Sequence, residues 1–150
     1  LVRQAAFNLN AYYVNFEVSH QMTRFTSEDF SVSRNVSAGY TSGTAYDEQL
    51  NIAYILHWHP KQWIDFHLSL TYQDGQQPSG LFFLEPSGSG FKIGEEMEHF
   101  NRYGINPGVN YQLTKRISAY LSYAHWTRGS NISENRYSDD SAYLEVQYSF

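Results

Sequence analysis

The chain has 150 residues, a net charge of −5 and only 17 % charged residues, with no run of like charge and no basic stripe, which argues against a nucleic-acid partner. Cysteine is absent, so disulfides, zinc–thiolate centres and thiol nucleophiles are excluded together. No apolar run reaches the roughly 18 residues of a membrane helix, a test that is blind to membrane-spanning strands because only alternate residues of those face lipid.

The predicted elements share a period of two from one end of the chain to the other. Tyr12, Val14, Phe16 and Val18 alternate with Tyr13, Asn15, Glu17 and Ser19. A second strand carries Val32, Val36, Ala38 and Tyr40 on one face, with Arg34 as a charged intruder that snorkelling would tolerate near an interface. A third runs through Leu50, Ile52, Tyr54, Leu56 and Trp58, and a fourth through Ile64, Phe66, Leu68, Leu70 and Tyr72. Matching their apolar faces sets Trp58 against Ile64, Leu56 against Phe66 and His57 against Asp65, around a Pro60-Lys61-Gln62 turn.

From about Asp74 to Glu98 the sequence "DGQQPSGLFFLEPSGSG" reads as a long loop, unusually apolar at "GLFFLEP" and so expected to pack on a wall or in a lumen. A fifth strand holds Tyr103, Ile105, Val109 and Tyr111, with Pro107 marking a bulge or a break. The sixth holds Ile117, Ala119, Leu121 and Tyr123. Pairing Leu113 with Ile117, Tyr111 with Ala119 and Val109 with Leu121 leaves Thr114-Lys115-Arg116 as a tight turn. A second long loop is expected from about Arg128 to Asp140, and the last strand alternates through Ala142, Leu144, Val146 and Tyr148 to Phe150. Short turns at one end, long loops at the other and aromatics at strand ends (Trp58, Trp63, Tyr72, Tyr103, Tyr111, Tyr148) are the asymmetry and girdles of outer-membrane barrels.

With these residues in view, the C-terminus resembles the closing strand of Gram-negative outer-membrane β-barrels, which end in Phe with apolar or aromatic residues at every second position before it. Leu144, Val146, Tyr148 and Phe150 match that pattern, and the resemblance implies that they form the signal read by the barrel-assembly machinery. The same resemblance puts the free carboxylate on the periplasmic side. Residues 98–150, with "NPGVNYQLTKRISAYLSYAHWTRGSN" and "YSDDSAYLEVQYSF", are also similar to the last strands of large porin-like barrels, including some associated with exopolysaccharide export. The expected fold is therefore all-β, an antiparallel transmembrane barrel within a single domain or barrel segment over residues 1–150. A soluble β-sandwich is the competing architecture.

Seven strands would leave the N-terminus outside the cell, whereas single-chain bacterial barrels have an even count. Either a strand is missed and this is a small eight-stranded barrel, or it is the C-terminal portion of a larger one. The Leu1 start, with no signal peptide in view, and the odd count favour the portion. The expected function is a passive channel or export conduit in the outer membrane, with lipid and lipopolysaccharide as partners. Glu17, Asn51, His57, Asp65, His67, Arg102, Asn106, Asn110 and Glu145 are expected to line the pore.

The alternative is a small barrel, either a structural or adhesive protein or a lipid A-modifying hydrolase. "HWT" faintly resembles the His-x-Ser of outer-membrane lipid A deacylases, which implies His125 as base, Thr127 as nucleophile and Asp139 as orienting acid, with Thr departing from the Ser of the pattern. The His57, Asp65 and His67 group reads as an ion pair near the turns. No cofactor and no metal are expected.

Overall fold

In this computed structural model the described residues are 13–38, 46–87 and 90–149, with side chains described at 13–36, 48–77 and 97–149. Seven strands follow in chain order: β1 (Val14–Thr23), β2 (Thr26–Ala38), β3 (Tyr46–Lys61), β4 (Ile64–Ser87), β5 (Gly90–Gln112), β6 (Ile117–Ser130) and β7 (Tyr137–Tyr148). One 3-10 turn, Ser133–Asn135, precedes the last strand. All seven form one antiparallel sheet in sequential order, each strand bonded only to its chain neighbours. β1 and β7 are not bonded to each other, so among the described residues the sheet is open rather than a closed barrel. Among the described residues no second sheet faces it, as a sandwich would require.

The expected alternation divides the sheet into two unlike faces. On one, Val18, Phe30, Tyr54, Leu70 and Ile105 lie in a single cross-strand row, with Phe16, Val32, Ile52, Tyr72 and Tyr103 in the next. This apolar band runs from Leu50 to Trp58 in β3, Ile64 to Tyr72 in β4 and Tyr103 to Tyr111 in β5. That is about nine residues, the length a tilted strand needs to cross hydrocarbon. The band is not covered: Leu144 is 68 % exposed and Val146 65 %. Among the described residues, Phe100 and Ile132 are the buried apolar side chains, so the sheet has no core of its own.

Polar groups on the apolar face are neutralised locally. Arg34 meets the Glu48 carboxylate in an ion pair, more than the snorkelling expected of it. Glu28 accepts the Tyr54 hydroxyl at 2.7 Å and lies 3.2 Å from His20 Nδ1. Aromatic pairs border the band at both ends. Trp58 stacks on Phe66 and Trp63 meets Tyr111 edge-on near the turns, while Tyr72 meets Tyr103 towards the loops.

Three tight turns, at 24–25, 62–63 and 114–116, share what is called here the turn end; the opposite end is the loop end. The β5–β6 register is the expected one, with Tyr111 opposite Ala119 and Val109 opposite Leu121. In the turn between them, Thr114 Oγ1 accepts the backbone N–H groups of Arg116 and Ile117. The β3–β4 register differs from expectation by two residues: Leu56 faces Leu68, Trp58 faces Phe66 and His57 faces His67. The shift keeps every side chain on its expected face because the period is two. Its cause is a bulge at Pro60, which has no ladder donor, before Lys61 pairs with Ile64 across a Gln62-Trp63 turn.

Two further expectations are corrected. The loop expected at 74–98 is instead the paired continuation of β4 and β5, which reaches Ser87 opposite Gly90 after a register shift between Pro78 and Phe82. The loop expected at 128–140 is shorter, because β6 continues to Ser130 and β7 starts at Tyr137. Pro107 does not break β5: pairing to β4 continues through Leu68, and only the ladder to β6 lapses between Ile105 and Gly108.

Candidate functional site: a polar face and a loop-end relay

All nine residues expected to line a pore lie on the face opposite the apolar band. Cross-strand rows order this face: Glu17, Ser31, Ala53 and Thr71 form one, and Asn51, Gln73, Arg102 and Arg128 form another. Towards the turn end, Asp65, Asn110, Tyr120 and Glu145 form a third row. His67 faces Gly108 and Asn106 faces Ser69.

Glycine shapes this face in a way that the alternation does not reveal. In three directly opposed pairs, Gly75 with Phe100, Gly104 with Trp126 and Gly108 with His67, a ring lies over the bare backbone of the glycine. A side chain at 104 or 108 would overlap that ring, so the absent Cβ is what lets the ring lie flat. The flattened rings then carry cations. Arg102 lies 4.0 Å from the Trp126 ring centre and Arg128 4.1 Å from that of Phe100. His67 instead stacks on Tyr120, whose hydroxyl is 3.3 Å from its Nε2.

Arg128 also pairs with Glu98, which the sequence reading passed over and which is 0 % exposed. The Glu98 carboxylate accepts hydrogen bonds from Ser130 Oγ (2.7 Å), Gln77 Nε2 (2.9 Å) and Arg128 (3.0 Å). Burial alone would push its carboxyl up, but these three donors and the Arg128 charge outweigh burial and hold it below the ordinary carboxylate range. Arg102 has no such carboxylate among the described residues; its Nε has no hydrogen-bond partner there, nor does Asn106 Oδ1 further along β5.

On the apolar face near the loop end, β6 and β7 bring three groups into line. His125 Nδ1 is 2.7 Å from Asp140 Oδ1, and Thr127 Oγ1 is 3.2 Å from His125 Nε2. Tyr123 donates its hydroxyl to the same Asp140 oxygen at 2.5 Å. The acid is thus Asp140, directly opposite His125, and not the expected Asp139, which faces Trp126 and lies on the other side of the sheet. Counting in twos from Leu144 would have selected Asp140, since only even positions of β7 share the face of His125. A hydroxyl, an imidazole and a carboxylate in this order can move a proton from oxygen to nitrogen.

His57 and Asp65, expected to oppose each other, do not: His57 faces His67, and Asp65 lies across from His59. Leu144, Val146 and Tyr148 share the exposed apolar face, while Phe150 lies outside the described residues. No family model, no curated protein and no solved structure matches the chain.

Proposed function

We propose that this chain is a sector of the wall of a Gram-negative outer-membrane β-barrel, with its polar face turned to a water-filled lumen, and that the barrel acts as a passive channel or export conduit. The observation that carries this reading is one sheet with two unlike faces: an uncovered apolar band about nine residues tall on one side and a mainly polar surface on the other. In water the band would be an aggregation liability, whereas in lipid it is the required surface. Free ladders on β1 and β7 cannot persist in hydrocarbon, so other strands pair with them and the whole is larger than seven strands. A barrel of about sixteen strands holds an aqueous channel, which eight would fill with side chains. Lipopolysaccharide contacts the outer leaflet side, and the assembly machinery reads the β7 pattern. The test is single-channel recording of the full-length protein in planar bilayers. Steps of conductance that change ion selectivity when Arg102 is replaced by Glu support the reading; a protein that folds and inserts but passes no current overturns it.

The Thr127–His125–Asp140 alignment favours a second reading, a hydrolase acting on lipid esters at the outer leaflet. Thr127 Oγ1 would add to the acyl carbon as its proton passes to His125 Nε2, and the alcohol would depart with that proton. Water would then release the acid by the same route in reverse. Mass spectrometry of lipids incubated with the protein decides it: fatty acid released by the wild type and not by His125→Ala supports the hydrolase, and no release removes it.

A further inference from the structure

We propose that His57, His59 and Asp65 bind a first-row divalent cation of the zinc class at the turn end of the polar face. This site is independent of both functional readings above. His57 and His59, two apart on β3, point to the same side, and the sheet register sets Asp65 of β4 beside them. One donor atom from each lies within 4.8 Å of the others. A tetrahedral zinc with ligand bonds near 2.0–2.1 Å places its donors about 3.3 Å apart. His59 Nδ1 and Asp65 Oδ1 are already 3.2 Å apart, so only His57 has to draw in.

Three details point to a ligand and not to a plain ion pair. Asp65 Oδ1 is shielded from solvent, yet no hydrogen bond reaches it, His59 Nδ1 included. Two donor atoms held close without the alignment of a hydrogen bond suit a cation between them. The register shift between Trp58 and Lys61 takes in His59, and a bulge of this kind re-aims a side chain. His59 and Asp65 also line a cleft of ≈ 490 Å³, room for entry and for a water as fourth ligand.

Asp29 Oδ2 lies 3.8 Å from His57 Nε2, and drawn in to hydrogen-bond distance it would serve as an outer carboxylate for that ring. The nitrogen-rich set with one carboxylate selects zinc, nickel or copper over magnesium and calcium, which prefer oxygen alone. His67, the neighbour that sequence proximity suggests, is engaged with Tyr120 and is not a ligand.

The experiment is a cobalt(II) titration of the full-length protein, stripped with chelator in detergent, followed by its visible absorption and by zinc displacement. The expected result is one equivalent bound per chain in a tetrahedral spectrum. His59→Gln and Asp65→Asn should each weaken binding tenfold or more, and His67→Gln should leave it unchanged. Circular dichroism and heat-shifted gel mobility select variants that keep the fold, and the exposed His59 makes its variant the safest of these. No saturable binding, or equal binding by wild type and both ligand variants, overturns the proposal and leaves an ordinary ion pair.

Discussion

Glu98 is the residue whose removal the sheet should feel most. Its carboxylate is fully shielded and holds Ser130, Gln77 and Arg128 together across three strands. Glu98→Gln keeps the shape but turns an acceptor into a donor facing the Arg128 guanidinium. Breaking a buried pair on one side costs about 3–5 kcal/mol, and a urea midpoint lowered at unchanged slope would register it. The sign with pH follows from the lowered carboxyl. Its contribution is complete above the ordinary carboxylate pKa and is lost as pH falls through the lower folded value. The wild type should therefore lose stability on acidification more steeply than Glu98→Gln, measured as urea midpoints at a series of acid pH values.

At the scale of the element, the glycines opposite rings decide how well neighbouring strands sit together. Gly108→Val and Gly104→Val would force His67 or Trp126 off the backbone, with the Arg102 stack lost along with the latter. Each should cost about 1–3 kcal/mol, the range for overpacking, while a valine at Asn110, on the same face but replacing an existing side chain, should cost less. Urea unfolding of the three variants side by side gives the ranking. Register is checked by cross-linking. Cysteines at Leu56 and Leu68 should join readily because they are directly opposed, whereas cysteines at 56 and 66 should not. A mass or gel shift in the second pair alone would restore the register expected from the alternation.

The same elements explain what the sequence disclosed. Alternation alone assigns each side chain to a face, because a shift of two residues leaves faces intact; the nine polar-face residues were therefore legible. The β5–β6 register was also legible, since its turn has no extra residue. The β3–β4 register was not, because the residue bulged at Pro60 carries no hydrophobic signature. Residues 74–98 read as loop because Gly, Pro and Ser punctuate them, yet pairing with the partner arm keeps that backbone extended. The relay was half legible: His125 and Thr127 stood out, but choosing between Asp139 and Asp140 needed the parity of β7. His59 was not singled out, because the expected register put Asp65 opposite His57 instead.

For the whole molecule, the decisive property is the contrast between its faces and its edges. The proposed conduit predicts that replacing Arg102 by Glu moves the reversal potential in a salt gradient towards cation preference, because a guanidinium with no carboxylate partner among the described residues becomes a negative charge on the polar face. Replacing Leu144 with Lys on the other face should leave selectivity alone. It should lower the yield of inserted protein, since a lysine on the lipid-facing band carries a cost that rises to about 2–4 kcal/mol at the bilayer midplane. Recording both variants separates the wall's two surfaces.

Strand order has a further consequence. Each strand is hydrogen-bonded only to the one before it and the one after it, and a side-chain link such as His67–Tyr120 reaches just one strand further. A hairpin could be duplicated or cut out and the flanking strands would still present matching faces to each other. In the proposed conduit, bore would then follow from the number of hairpins, and a lineage could widen or narrow it by copying or losing one and adjusting the contacts at its borders.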